Sequence, residues 1–164
     1  MRHGESESQR PLPRATGYRF AVVVSRFNHA ITSRLTDGAR EALADAGADA
    51  STVEVFEVPG AFEVPQAARA AAESGRFDAV VCLGCVIRGA TPHFEYIATA
   101  VAHAIEEASG ETGVPMSFGV LTTDTWEQAE ERVPAGRGNK GFEAAAAAIE
   151  MAVLFRQLRA GVRR

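Results

Sequence analysis

Ala79-Val80-Val81-Cys82-Leu83-Gly84-Cys85-Val86-Ile87 decides the architecture. The run is apolar from end to end, with no polar alternation, which is how a strand buried on both faces reads. A strand of that kind belongs to a parallel sheet covered by helices. The neighbouring sequence agrees. Residues 18–24, 52–58 and 115–121 form three more strand-like runs. Between them lie helical patterns. Residues 28–46 carry Ile31, Leu35, Ala39, Ala42, Leu43 and Ala46 at helical spacing, and Gly47 closes the pattern. Residues 65–73 read as a helix that ends before Gly75. Residues 91–108 place Phe94, Ile97, Ala98, Val101 and Ile105 on one face. Asp124 with Glu127 resembles a capping box that opens a short helix to about Arg132. Residues 133–139 are a glycine-rich loop, and the last helix spans about 140–159. Its alanine-rich middle, Ala144 to Ala148, is a strong helix former and allows close packing. Strands alternating with helices, joined by right-handed crossovers, predict an α/β fold: a three-layer αβα sandwich on a central four-stranded parallel sheet.

The two cysteines, Cys82 and Cys85, form a Cys-x-x-Cys motif of the kind that serves redox chemistry or zinc elsewhere. Inside a strand, however, positions i and i+3 point to opposite faces. These thiols cannot then share a metal or close an easy disulfide, and they are expected to be buried packing residues.

The bulk properties bound the function. A chain of 164 residues suits one domain, with 46% hydrophobic and 23% charged residues. The formal net charge of -4 argues against a nucleic-acid surface, which needs a basic stripe. An anionic substrate must be held by a local cluster of donors. Residues 1–14 contain no apolar targeting segment, and the run 20–24 is too short to span a membrane. The expectation is a cytoplasmic protein with a flexible arm over 1–15 and a single domain over 16–164.

In open parallel sheets, ligands bind at the carboxyl ends of the strands, so chemistry is sought there. After the first strand comes Ser25-Arg26-Phe27-Asn28. Phe27 is either a loop residue tucked under the next helix or a stacking platform for a planar ligand. After the second comes Val58-Pro59-Gly60-Ala61-Phe62-Glu63-Val64-Pro65, where Glu63 is either a first-turn carboxylate favoured by the helix dipole or an acceptor for substrate hydroxyls. After the third comes Val86-Ile87-Arg88-Gly89-Ala90-Thr91-Pro92-His93. Thr91 suits an N-cap and Pro92 the first helical position. Small residues at 89 and 90 open the backbone to an anion at a helix start. His93 then fits a proton shuttle beside a bound phosphate, against the alternative of a surface histidine with no role. Arg132 and Lys140 flank the late glycine-rich loop and could complete a phosphate site or simply face solvent.

Taken together, Ser25 through Asn28, Val58 through Pro65, Gly84 through His93, Phe118-Gly119-Val120-Leu121-Thr122-Thr123 and Gly138-Asn139-Lys140-Gly141 resemble the lumazine synthase family, in family order from about Gly17 to Met151. The resemblance implies a flavodoxin-like fold and an enzyme that condenses 5-amino-6-(D-ribitylamino)uracil with 3,4-dihydroxy-2-butanone 4-phosphate, without metal or organic cofactor. It implies that Phe27 stacks on the pyrimidine, that Ala61, Phe62 and Glu63 hold the ribityl chain and uracil, and that Cys85, Val86 and Ile87 offer backbone contacts. Ala90, Thr91 and Arg132 would hold the phosphate, and His93 would shuttle protons. Phe118 and Lys140 would complete the pocket, supplied with Arg132 by a neighbouring subunit, and Glu143 would help tune His93. The family forms homopentamers, some of which close, twelve together, into an icosahedral shell; riboflavin synthase is the implied partner enzyme. Two other classes share the pattern: a shell protein without turnover, and a flavodoxin-like module that binds a flavin or lumazine without chemistry.

Overall fold

The computed structural model describes residues 10–161, and in it strand and helix alternate along the whole chain. The strands are β1 (Phe20–Ser25), β2 (Val53–Val58), β3 (Ala79–Ile87) and β4 (Met116–Thr123). The helices are α1 (His29–Asp45), α2 (Val64–Glu73), α3 (His93–Thr112), α4 (Trp126–Glu131) and α5 (Lys140–Ala160). The strands form one parallel sheet in the order β2-β1-β3-β4. The predicted three-layer sandwich is therefore present, and the order places β1 at the point where the winding reverses.

Alternation along the strands builds two cores. Val22, Val24, Val81 and Leu83 face α1 and α5, where Leu35, Ala39, Ala145 and Ile149 close over them. Ala21, Val23, Val80 and Val120 face α2 and α3, which contribute Val64, Ala68, Val101 and Ile105. Each of these valine, leucine and isoleucine side chains contributes on the order of 1.5–3 kcal/mol by its burial, and each alanine less.

The cysteines follow the strand periodicity. Cys85 lies in the first core and Cys82 in the second, both buried and both free thiols. Burial pushes the Cys82 thiol up to about 12 and the Cys85 thiol up to about 11, from an ordinary 9.0. Only the neutral thiol is tolerated inside. Its contribution to stability is present below about pH 9 and is lost as pH rises toward those folded values, where the unfolded chain is already ionised. At pH 8 a thiol-reactive dye should label neither cysteine in the native protein and both on unfolding; rapid native labelling would contradict this packing.

Three helix boundaries differ from the sequence reading, two in α3 and one in α4. Helix α3 starts at His93 with Pro92 as its N-cap and no side-chain cap bond, so Thr91 belongs to the preceding loop. The Glu95 N–H donates to the Pro92 carbonyl, which sets the first turn one residue later than expected. The helix also runs past Gly110 and stops at Gly113, whose φ of 71° is the left-handed conformation that ends helices. The capping box shifts as well. Thr125 is the N-cap of α4 and accepts from the Gln128 N–H at 3.1 Å, while Gln128 Oε1 accepts from the Asp124 N–H at 2.8 Å. The Thr125 hydroxyl supplies the cap, one residue after the expected Asp124.

Residues 1–9 of the expected arm lie outside the described residues. Residues 10–15 pack on the domain: Ala15 is fully buried and donates its N–H to the Ala46 carbonyl at 2.8 Å, and Leu12 packs against the first core. Among the described residues, no helix is long and apolar enough to cross a membrane.

Candidate active site

The sheet ends unevenly. Pairing between β1 and β3 stops at Val24 with Leu83, whereas β3 continues beside β4 as far as Ile87 with Thr123. The overhanging end of β3, the β1–α1 corner and the β2–α2 turn enclose a cleft of about 350 Å³. It lies over the carboxyl ends of β1 and β3, where the winding reverses and ligands are expected.

Phe27 stands at the mouth, 69% exposed, with its N–H donated to the Pro59 carbonyl at 3.1 Å. The ring is thus not tucked beneath α1. Phe62 is a second exposed ring on the cleft wall, and Ala61 is buried beside it. Glu63 lines the same wall at the start of α2 and makes no cap hydrogen bond there, which leaves its carboxylate available to a ligand. Cys85, Val86 and Ile87 form the floor.

Gly89 and Thr91 line the next side, with exposed Ala90 between them. A Cβ at Gly89 would meet no heavy atom within 4 Å, so the backbone here is open. His93, the first residue of α3, completes that side. Arg88 fastens the loop in place. Its Nε donates to Asp124 Oδ1 at 2.7 Å and its Nη1 to Glu95 Oε1 at 3.1 Å, with the guanidinium 4.6 Å from the Phe94 ring centroid. The Asp124 and then the Glu95 hydrogen bond hold the Arg88 pKa above the ordinary arginine value.

Phe118, Arg132, Lys140 and Glu143 lie elsewhere. They line a second cleft of about 450 Å³ between β4 and α5. None of the residues lining it lines the first cleft. Phe118 is 49% exposed on the outer strand. Buried Asn139 organises this half. Its Oδ1 accepts from the Gly141 and Phe142 N–H groups at 2.7 and 3.3 Å, capping α5, and its Nδ2 donates to the Arg34 and Pro134 carbonyls at 3.0 Å. The Lys140 N–H donates to the Arg132 carbonyl at 2.9 Å, so the glycine-rich loop closes on itself and sets the two cations on one surface. Arg132 Nη1 donates to the Gln128 carbonyl at 2.8 Å, and Lys140 Nζ to Glu143 Oε2 at 2.9 Å. Glu143 therefore pairs with Lys140 of its own chain, in a different cleft from His93.

Two contributors were not singled out in the sequence. Asn28 and Arg88 stood inside informative stretches without an assigned role. Asn28, whose Nδ2 donates to the Cys85 carbonyl at 3.0 Å and whose backbone has a φ of 60°, carried a signal: asparagine is a non-glycine residue that tolerates left-handed backbone. Arg88 carried none, because its two carboxylate partners come from separate elements. Among the described residues, no group of three or more His, Cys, Asp or Glu side chains could hold a metal ion.

Sheet order and cleft define the class: αβα sandwich proteins with an open cleft over the carboxyl ends of a parallel sheet. The particular family follows from sequence comparison. The profile of the 6,7-dimethyl-8-ribityllumazine synthase family matches residues 17–156. The 6,7-dimethyl-8-ribityllumazine synthase of Syntrophus aciditrophicus (strain SB) is 57% identical over 144 residues, covering 88% of this chain and 94% of the relative. The chain belongs to the 6,7-dimethyl-8-ribityllumazine synthase family, a family of transferase enzymes of riboflavin biosynthesis.

Proposed function

We propose that the chain condenses 5-amino-6-(D-ribitylamino)uracil with 3,4-dihydroxy-2-butanone 4-phosphate, giving 6,7-dimethyl-8-ribityllumazine, phosphate and two waters, the penultimate step of riboflavin biosynthesis. The observation that carries this reading is the first cleft. It gathers an exposed aromatic ring, an uncapped carboxylate, an open helix-start loop and a histidine around one space.

The chemistry asks the protein for orientation, phosphate binding and proton transfer. Phe27 stacks on the pyrimidine. Ala61, Phe62 and Glu63 hold the ribityl chain and uracil, and the backbone of Cys85, Val86 and Ile87 reads the ring edge. The substrate amine adds to the ketone and loses water to form an imine. Loss of the C3 proton together with the phosphate on C4 leaves an enol that tautomerises to a C3 ketone, and the ribityl-bearing nitrogen closes the ring on that carbonyl with loss of the second water. His93 moves protons at the amine and ketone oxygen. Ala90 and Thr91 hold the phosphate from one side.

Arg132, Lys140 and Phe118 complete the site from a neighbouring copy. Their grouping in a separate cleft of the same chain supports this reading, since each chain then carries two half-sites. A cytoplasmic homopentamer makes every half-site whole, and closure of pentamers into an icosahedral shell is the further assembly proposed. The domain that carries the activity comprises residues 16–164.

The test is to mix purified protein with both substrates and follow lumazine absorbance and phosphate release. Product above the spontaneous background supports the reading, and product at background rejects it in favour of a binding or shell protein. Replacing His93 with alanine should lower kcat by about 10²-fold, the low end for one acid–base group, because the condensation also proceeds unaided. A loss no larger than that of a nearby surface substitution would remove His93 from the mechanism.

A further inference from the structure

We infer that Asn28 is a positioning residue for the pyrimidine half of the cleft: its carboxamide, donated to the Cys85 carbonyl, holds the Phe27 corner against the end of β3. The inference rests on the proposed reaction and concerns a residue that does not itself react.

The backbone of Asn28 is the starting point. With φ 60° and ψ 46° it is the one non-glycine residue of positive φ among the described residues. Left-handed backbone costs an L-residue roughly 1–2 kcal/mol, asparagine being among the more tolerant, and such strain collects where a fold must hold a particular shape. Asn28 occupies the N-cap of α1, where asparagine normally accepts from the helix N–H groups. It makes no side-chain cap bond there. Capping therefore does not explain the residue.

Its side chain points elsewhere. Asn28 Nδ2 donates to the Cys85 carbonyl at 3.0 Å, across 57 positions of sequence. Cys85 lies past the last β1–β3 pair, so on that side no strand supplies a donor to its main chain. Cys85 is buried, and a buried carbonyl needs a partner. The Asn28 amide continues the missing ladder with a side chain.

The same corner is tied to β2 by its main chain. The Arg26 N–H donates to the Val58 carbonyl at 2.8 Å and the Phe27 N–H to the Pro59 carbonyl at 3.1 Å. The Asn28 carbonyl accepts from Ile31 and Thr32 and starts α1. Phe27 is thus held from both sides, toward β2 by backbone and toward β3 by the Asn28 amide. The left-handed turn between them leaves its ring exposed at the cleft mouth. Without the amide, the ring that is to stack on the pyrimidine and the β3 backbone that is to read its edge lose their fixed spacing.

Two variants separate this role from a merely structural one. Asn28→Gly retains the left-handed backbone without steric cost and removes the donor. Asn28→Asp retains the shape and sets an acceptor against the carbonyl. In steady-state assays, the KM for the ribitylaminouracil should rise about fivefold for Asn28→Gly, as loss of one hydrogen bond implies, and more for Asn28→Asp. The KM for the butanone phosphate and kcat should change by less than twofold, and Asn28→Gly should stay folded with a modestly lowered urea midpoint, because relief of the left-handed strain offsets part of the cost of the unpartnered Cys85 carbonyl. A pyrimidine KM within twofold of wild type in both folded variants would overturn the inference. So would a loss spread equally over both substrates and in step with lost folded protein. A wild type without turnover would count against the reaction instead. Calorimetric binding of the ribitylaminouracil alone to wild type and Asn28→Gly then still decides the positioning role, by the presence or absence of the same fivefold weakening.

Discussion

Replacing Arg132 with alanine is expected to raise the KM for the butanone phosphate about 10- to 100-fold while moving the pyrimidine KM by no more than about twofold. The estimate follows from the loss of a charge-assisted hydrogen bond, which is worth about 1.5–3 kcal/mol. Arg132 is only half-buried and lines the second cleft, where one of its nitrogens is committed to the Gln128 carbonyl. The substitution removes no backbone tie, because Lys140 is bonded to the Arg132 carbonyl and not to its side chain. Lysine at the same place should recover part of the loss, since it restores charge but not the two-pronged geometry. Kinetics with the butanone phosphate varied at saturating pyrimidine would read this directly. An unchanged KM for the phosphate substrate would remove Arg132 from the site.

The largest effect on stability is expected at Gly141. This glycine lies in the first turn of α5, where the helix crosses the backbone of α1. A Cβ at position 141 would collide with the Leu35 carbonyl oxygen and come within 2.8 Å of its Cα. Backbone in the middle of a helix cannot swing aside as a flexible side chain can. Gly141→Ala should therefore cost about 3 kcal/mol, the upper part of the usual range for overpacking. In a protein of this size that lowers Tm by roughly 10 °C. Thermal unfolding followed by circular dichroism would check it; a Tm within about two degrees of wild type would show that the helices separate freely. The substitution also strikes the second cleft, because Asn139 caps α5 through the Gly141 N–H. Weakened use of the butanone phosphate in the folded fraction is the accompanying expectation.

Much of this was readable along the chain. The run 79–87 announced a strand buried on both faces, and its period of two placed Cys82 and Cys85 in different cores. The helix patterns located α1, α2, α3 and α5 to within a few residues. Errors fell at ends, where a single local bond decides: Pro92 displaced Thr91 as the cap of α3, and the Thr125 hydroxyl displaced the Asp124 carboxylate at α4. The family, too, was legible from short stretches at strand ends.

Sequence alone thus determined the layers, the identity of the buried faces and the strand-end stretches whose residues line the two clefts, because burial imposes a period on neighbouring residues. The strand order, the separation of Phe118, Arg132 and Lys140 from the cleft of Phe27 and His93, and the bond from Asn28 to the Cys85 carbonyl were decided only by the tertiary structure. Each of these joins residues tens of positions apart. Local periodicity says that a surface is covered, but which distant backbone group ends beside which side chain depends on how the crossovers bring the strands together and where each strand stops.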